Sequence, residues 1–154
     1  MFFRPAAFAL LALTPLPLAA ETGDAVAGAA QFIRCKACHA IVTDDGTVVQ
    51  KGGKTGPNLY GMIGRPVAAM PDFRYSPGFK AAGSAGRVWD AANLAAYLAD
   101  PTAWLRQASG DAGARTSMTV KMTEGSDDLV AYLATQVPAP MASQSPTAPN
   151  PVTN

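Results

Sequence analysis

"RCKACHAI", residues Arg34 to Ile41, contains both cysteines and the only histidine of a 154-residue chain. Cys35, Cys38 and His39 are every thiol and every imidazole the sequence owns. A structural zinc site needs about four such ligands, and no others exist. A thioredoxin-type dithiol follows a strand in a βαβ setting, and no such pattern precedes it. A disulfide across two intervening residues closes so small a loop that it removes little entropy from the unfolded chain. What remains is Cys-x-x-Cys-His, the attachment signature of c-type haem. Two thiols add across the two vinyl groups, their short spacing sets both sulfurs along one edge of the ring, and His39 reaches the iron from one face.

The totals fit one small domain. Apolar residues make up 49% of the chain, enough for a core, and charged residues only 15%. The formal net charge is +1, with no clustered basic stripe of the kind a nucleic-acid binder needs.

Both ends differ from the middle. "MFFRPAAFALLALTPLPLAA" has Arg4 as a short positive region, an apolar run from Ala6 to Leu18, and small residues before Glu21. That layout predicts a secretory signal peptide over residues 1–20, cleaved on export to the periplasm. The competing expectation is an uncleaved membrane anchor, for which the run is short and is broken by Pro15 and Pro17. Removal takes Arg4 alone from the 12 basic side chains and leaves 11 basic against 11 acidic. At the other end, 138–154 is rich in proline and free of charge. Such a segment cannot bury enough apolar surface to offset its ordering entropy, so a disordered tail or tether is expected there.

Residues 21–137 form the expected domain. Asp24 is a good N-cap for a helix over 25–34, with Val26, Ala29, Ala30 and Ile33 as its apolar face. Gly28, in mid-helix, implies close approach of another element. Residues 43–66 are rich in glycine and read as a long wrapping loop. "GGKTG" within it lacks the earlier glycine of a phosphate-binding loop, since Val48 stands there. A second helix is expected over 89–99, with Asp90 as cap and Leu94, Tyr97 and Leu98 inward. A short helical piece starts at Pro101. A last helix spans 125–136, capped by Ser126, with Asp127 and Asp128 complementing its dipole and Leu129, Tyr132 and Leu133 inward. No strand pattern or repeat is evident, so the fold class is all-α with long loops.

With one histidine, bis-His ligation is excluded by count. Lysine, methionine or an open position remains for the sixth site. Methionine raises the potential and closes the iron to small molecules. Met118 and Met122, in the loop before the last helix, are the leading choices, and the residues alone do not separate them.

The chain resembles the class I c-type cytochromes, most of all the cytochrome c2 group, from about Gly23 to Val137. "GDAVAGAAQF" resembles that family's first helix, "CKACH" its haem site, "KTGPNLYGMIGR" the loop on the histidine side, and "RTSMTVKMTEGSDDLVAYL" its methionine loop and last helix. The resemblance implies a class I fold, a few helices and long loops around one haem c on Cys35 and Cys38, with His39 and Met118 as axial ligands. It implies that the Pro57 carbonyl accepts from His39, and that Arg65, Tyr75 and Trp89 hold the haem propionates. Tyr97 bonds to the axial sulfur, and Gly28 and Phe32 meet Leu129 and Tyr132. The family often has a ring of lysines at the haem edge. This chain has five lysines in all, and Lys36, Lys54, Arg115 and Lys121 form either a modest basic patch or ordinary solvated charges. Ala68 stands where glycine is frequent.

The implied function is that of a soluble, monomeric periplasmic electron carrier, not an enzyme and with no small-molecule substrate. Its implied partners are a bc1-type complex on one side and a photosynthetic reaction centre or terminal oxidase on the other, docking transiently. A gas-binding or peroxidase-like protein with a labile Met118, and a tethered module of a larger redox assembly, are the alternatives.

Overall fold

A computed structural model describes residues 23–137. The expected signal segment and proline-rich tail lie outside the described residues. Five helices account for most of the regular structure: α1 Ala25–Gln31, α2 Pro77–Ser84, α3 Ala91–Ala99, α4 Pro101–Ser109 and α5 Ser126–Thr135.

Helix α1 begins where Asp24 Oδ1 accepts the amides of Val26 (2.8 Å) and Ala27 (3.3 Å). It ends three residues sooner than the pattern predicts, tightening into a 3₁₀ turn over Phe32–Arg34. Its inward face also differs from expectation. Val26 and Ile33 are 83% and 59% exposed, while Gly28 and Phe32 are buried. The close crossing with α5 selects this face. A Cβ on Gly28 would lie 1.9 Å from the Asp128 carbonyl oxygen and 2.8 Å from the Tyr132 Cβ. The Phe32 ring meets Tyr132 edge-on with centroids 6.4 Å apart.

A two-stranded antiparallel ribbon, β1 Ile41–Val42 with β2 Val48–Gln50, runs into the expected loop, a small addition to a fold that is otherwise helical as expected. A tight turn makes the ribbon: Asp45 Oδ1 accepts the Thr47 amide at 3.0 Å, and Gly46 takes φ 88°. Strands this short carry no periodicity that a sequence pattern could reveal. Helix α2 was also unannounced, and it starts with Pro77 in its first turn and packs on α4.

Helices α3 and α4 turn about Asp100, which ends one and caps the other through Ala103 N at 3.0 Å. Leu94, Tyr97 and Leu98 point inward as expected. Helix α5 is capped by Gly125 in the left-handed region (φ 69°), not by the Ser126 side chain. The aspartates Asp127 and Asp128 do occupy its first turn. Leu129, Val130, Tyr132 and Leu133 join Phe32, Ile41, Leu105 and Met122 in one core.

Candidate haem site

The attachment segment follows the 3₁₀ turn directly. The amides of Cys38 and His39 both donate to the Cys35 carbonyl, at 3.0 and 2.9 Å. This compact turn brings both cysteines and the histidine to one place. Cys35 is buried and Cys38 exposed. Burial pushes the Cys35 thiol up to about 11, against a smaller opposing effect of Arg34. That is the wrong direction for a reactive dithiol or a metal thiolate, both of which need a depressed pKa. A thioether, which never ionises, suits the position.

His39 Nδ1 lies 2.8 Å from the Pro57 carbonyl oxygen. A carbonyl only accepts, so Nδ1 carries the proton and Nε2 keeps its lone pair. Burial lowers the histidine pKa, with the Pro57 bond opposing, so the ring is neutral at pH 7. Three glycines let the wrapping loop lie on this turn. A Cβ on Gly56 would fall 2.3 Å from His39 Cε1, and on Gly52 or Gly53 it would strike the carbonyl oxygens of His39 and Ala37 at 1.8 and 2.2 Å. Backbone bonds from Gly53 N to Lys36 O (2.9 Å) and from Gly56 N to Cys38 O (2.8 Å) tie the layers together.

Arg65 and Trp89 are brought together by their backbones. Trp89 N donates to Arg65 O at 2.9 Å, next to the Pro66–Val88 bridge. Arg65 Nη2 donates to the Tyr60 carbonyl, and Nη1 lies 3.5 Å from the Asn58 carbonyl and 3.6 Å from the Met70 sulfur. Its guanidinium is half-buried, and no carboxylate among the described residues lies within ion-pair distance of it. Tyr75 stands close enough that the two groups influence each other's ionisation. Ser76, next in the chain, has a buried Oγ with no partner. A half-buried cation that feels Asp44 only from beyond ion-pair distance and an orphaned hydroxyl are what a pair of haem carboxylates would satisfy. The residues present fit the group.

Tyr97 OH lies 3.3 Å from Thr116 Oγ1, which also accepts the Met118 amide at 3.1 Å. The Trp89 ring stacks on Trp104 (centroids 4.8 Å, planes 20° apart) and meets Tyr97 at 63°. The two candidate methionines differ in place. Met122 is 1% exposed in the core, with its amide on the Leu98 carbonyl at 2.8 Å, whereas Met118 is only partly buried at the core's margin. Lys121, counted toward a basic patch, pairs with Asp100 at 2.7 Å. Gly56, Ser76, Trp104 and Thr116 were not anticipated. Gly56 was readable only as one of several loop glycines, and Ser76 carried no local signal at all.

The chain is 44% identical over 133 residues to cytochrome c-550 of Paracoccus versutus, covering 85% of this chain and 86% of that protein. It is 42% identical over 129 residues to cytochrome c2 of Rhodobacter capsulatus, covering 84% and 94%. The X-ray structure of ferric cytochrome c-550 from Paracoccus versutus matches the fold with a TM-score of 0.72 at 44% identity, covering 75% of this chain and 99% of that one. No protein-family model matches the chain. The chain belongs to the class I c-type cytochromes, within the cytochrome c2 group. It carries one haem c, attached through Cys35 and Cys38, and is a single-haem electron-transfer protein.

Proposed function

We propose that the protein is a soluble periplasmic carrier whose iron is held by His39 and Met118 in both oxidation states. The observation that carries this reading is the His39–Pro57 bond, which leaves the chain's only free imidazole lone pair beside its only two cysteines. The haem supplies a one-electron Fe(II)/Fe(III) couple. Pro57 fixes the histidine tautomer and raises its donor strength. Met118, bound through sulfur, raises the potential and closes the iron to small ligands. If Thr116 donates to Tyr97, the Tyr97 proton is left to point at that sulfur. Arg65, Tyr75 and Trp89, joined by Ser76, hold the propionates and keep their charge compensated inside the fold.

With both ligands retained, the chain rearranges little on electron transfer, and no residue is left to act on a substrate. Residues 1–20 direct export and are cleaved, and 21–137 form the domain. The protein works as a monomer, taking electrons from a bc1-type complex and passing them to a reaction centre or terminal oxidase. Docking uses a small, transient interface. Stopped-flow mixing with purified complexes of both kinds tests this. Rapid reduction by the first and reoxidation by the second is expected, and failure with every membrane complex overturns the carrier role. Retention of residues 1–20 in the purified protein's mass would favour the tethered alternative.

A further inference from the structure

The hydrogen bonds that tie the segment bearing Met118 to the helices among the described residues land on one helical pair. On its leading side, Arg106 Nε donates to the Ala114 carbonyl at 3.3 Å and Tyr97 meets Thr116. On its trailing side, Met122 N donates to the Leu98 carbonyl at 2.8 Å and Lys121 Nζ lies 2.7 Å from Asp100 Oδ2. Tyr97 and Leu98 belong to α3, Arg106 to α4, and Asp100 joins the two helices. Asp100 commits both oxygens, Oδ1 to the first turn of α4 and Oδ2 to Lys121. Theirs is the only ion pair among the described residues.

We propose that Asp100 is a positioning residue for Met118: through Lys121 it clamps the trailing end of the methionine segment to the α3–α4 corner and limits how often the sulfur leaves the iron. The inference rests on Met118 being the sixth ligand. Lys121 lies three positions beyond Met118, a span of at most about 11 Å, so the clamp leaves the methionine little slack. The two side chains are 58% and 43% exposed, so the effect is small, about 1.4- to 5-fold in a local opening equilibrium. Unlike the buried anchors, it is screened by salt.

The test uses the haem-loaded protein and the variants Asp100→Asn, Lys121→Met and the double variant. Asparagine keeps a capping oxygen for α4. The ferric Fe–S(Met) absorption band establishes ligation. The rate of imidazole binding at saturation then reads methionine departure, hydrogen exchange of the Met122 amide reads segment opening, and the global unfolding midpoint serves as control. Each single variant is expected to raise both rates about 1.4- to 5-fold, with the double variant no faster than the singles. Salt should accelerate exchange in the parent protein and not in the variants. Unchanged rates in a protein that has the band overturn the clamp alone. So do raised rates that keep the parent's salt response. A parent protein without the band overturns the ligand assignment, and the clamp with it.

Discussion

Met118 and Met122 are the same amino acid four positions apart, yet one is partly buried at the margin of the core and the other lies within it. Met122 is sealed in the core, so Met122→Ala should leave the absorption spectrum intact and cost about 2–5 kcal/mol in chemical unfolding. Met118→Ala should do the reverse. It should abolish the Fe–S(Met) band, admit external ligands and lower the potential in a redox titration, with a smaller change in stability. Gly56 bears on His39 just as directly. Gly56→Ala places a methyl 2.3 Å from the ring, and haem-loaded protein should be nearly absent from expression while Ser76→Ala still loads. Tyr97 gives the pH response. Burial raises its pKa, with Thr116 opposing. Above about pH 10, where tyrosine ordinarily ionises, the unfolded chain loses this proton and the folded chain keeps it. Stability is therefore full below that pH and falls as pH rises through it. Thermal midpoints between pH 9 and 12 should fall less steeply in Tyr97→Phe. The cysteines and histidine were legible because no alternative ligands exist in the chain. Ser76 was not, because its meaning lies in being buried and unpaired, which depends on residues far away in sequence.

Among the elements, the α1–α5 crossing shows where pattern reading succeeds and where it fails. The inward face of α5 follows from the spacing of Leu129, Tyr132 and Leu133. The same logic applied to α1 favours Val26 and Ile33, which turn out exposed. A large aliphatic pair loses here to a glycine, because the helices approach too closely for a side chain at position 28. Gly28→Ala weighs the two effects. Alanine favours an isolated helix by roughly 1 kcal/mol, but its methyl would meet a backbone carbonyl at 1.9 Å that cannot swing aside. Overpacking of this kind costs about 1–3 kcal/mol or more. Net destabilisation in a denaturant titration is expected, and unchanged stability would mean that the helices can separate at no loss. The ribbon and the Gly125 cap escaped the pattern for a related reason, since both depend on single-residue backbone geometry more than on periodicity.

At the scale of the molecule, a small core is completed by a prosthetic group. The rings of Trp89, Tyr97, Trp104, Phe79 and Tyr75 form one connected aromatic set of edge-on, tilted and stacked contacts. The half-buried Arg65 bonds to backbone carbonyls and has no carboxylate within ion-pair distance among the described residues, and the buried Ser76 hydroxyl has no partner. Class and overall fold were legible from the resemblance carried by a few motifs. Charge placement was less so, because ion pairing depends on the tertiary fold. With the first 20 residues removed, the chain has equal numbers of basic and acidic side chains, and Lys121 is paired. Electron transfer to an acidic partner should therefore slow only modestly between low and physiological salt. A steep decline in stopped-flow rates would restore the basic patch to importance. The most direct test of the whole account is the absorption spectrum of the purified protein, oxidised, reduced, and reduced under carbon monoxide. A closed His39/Met118 carrier predicts a low-spin c-type spectrum, an Fe–S(Met) band in the oxidised form, and no change with carbon monoxide. Rapid carbon monoxide binding would contradict it, leaving the sixth position open or labile and the protein a gas-binding or catalytic haem protein.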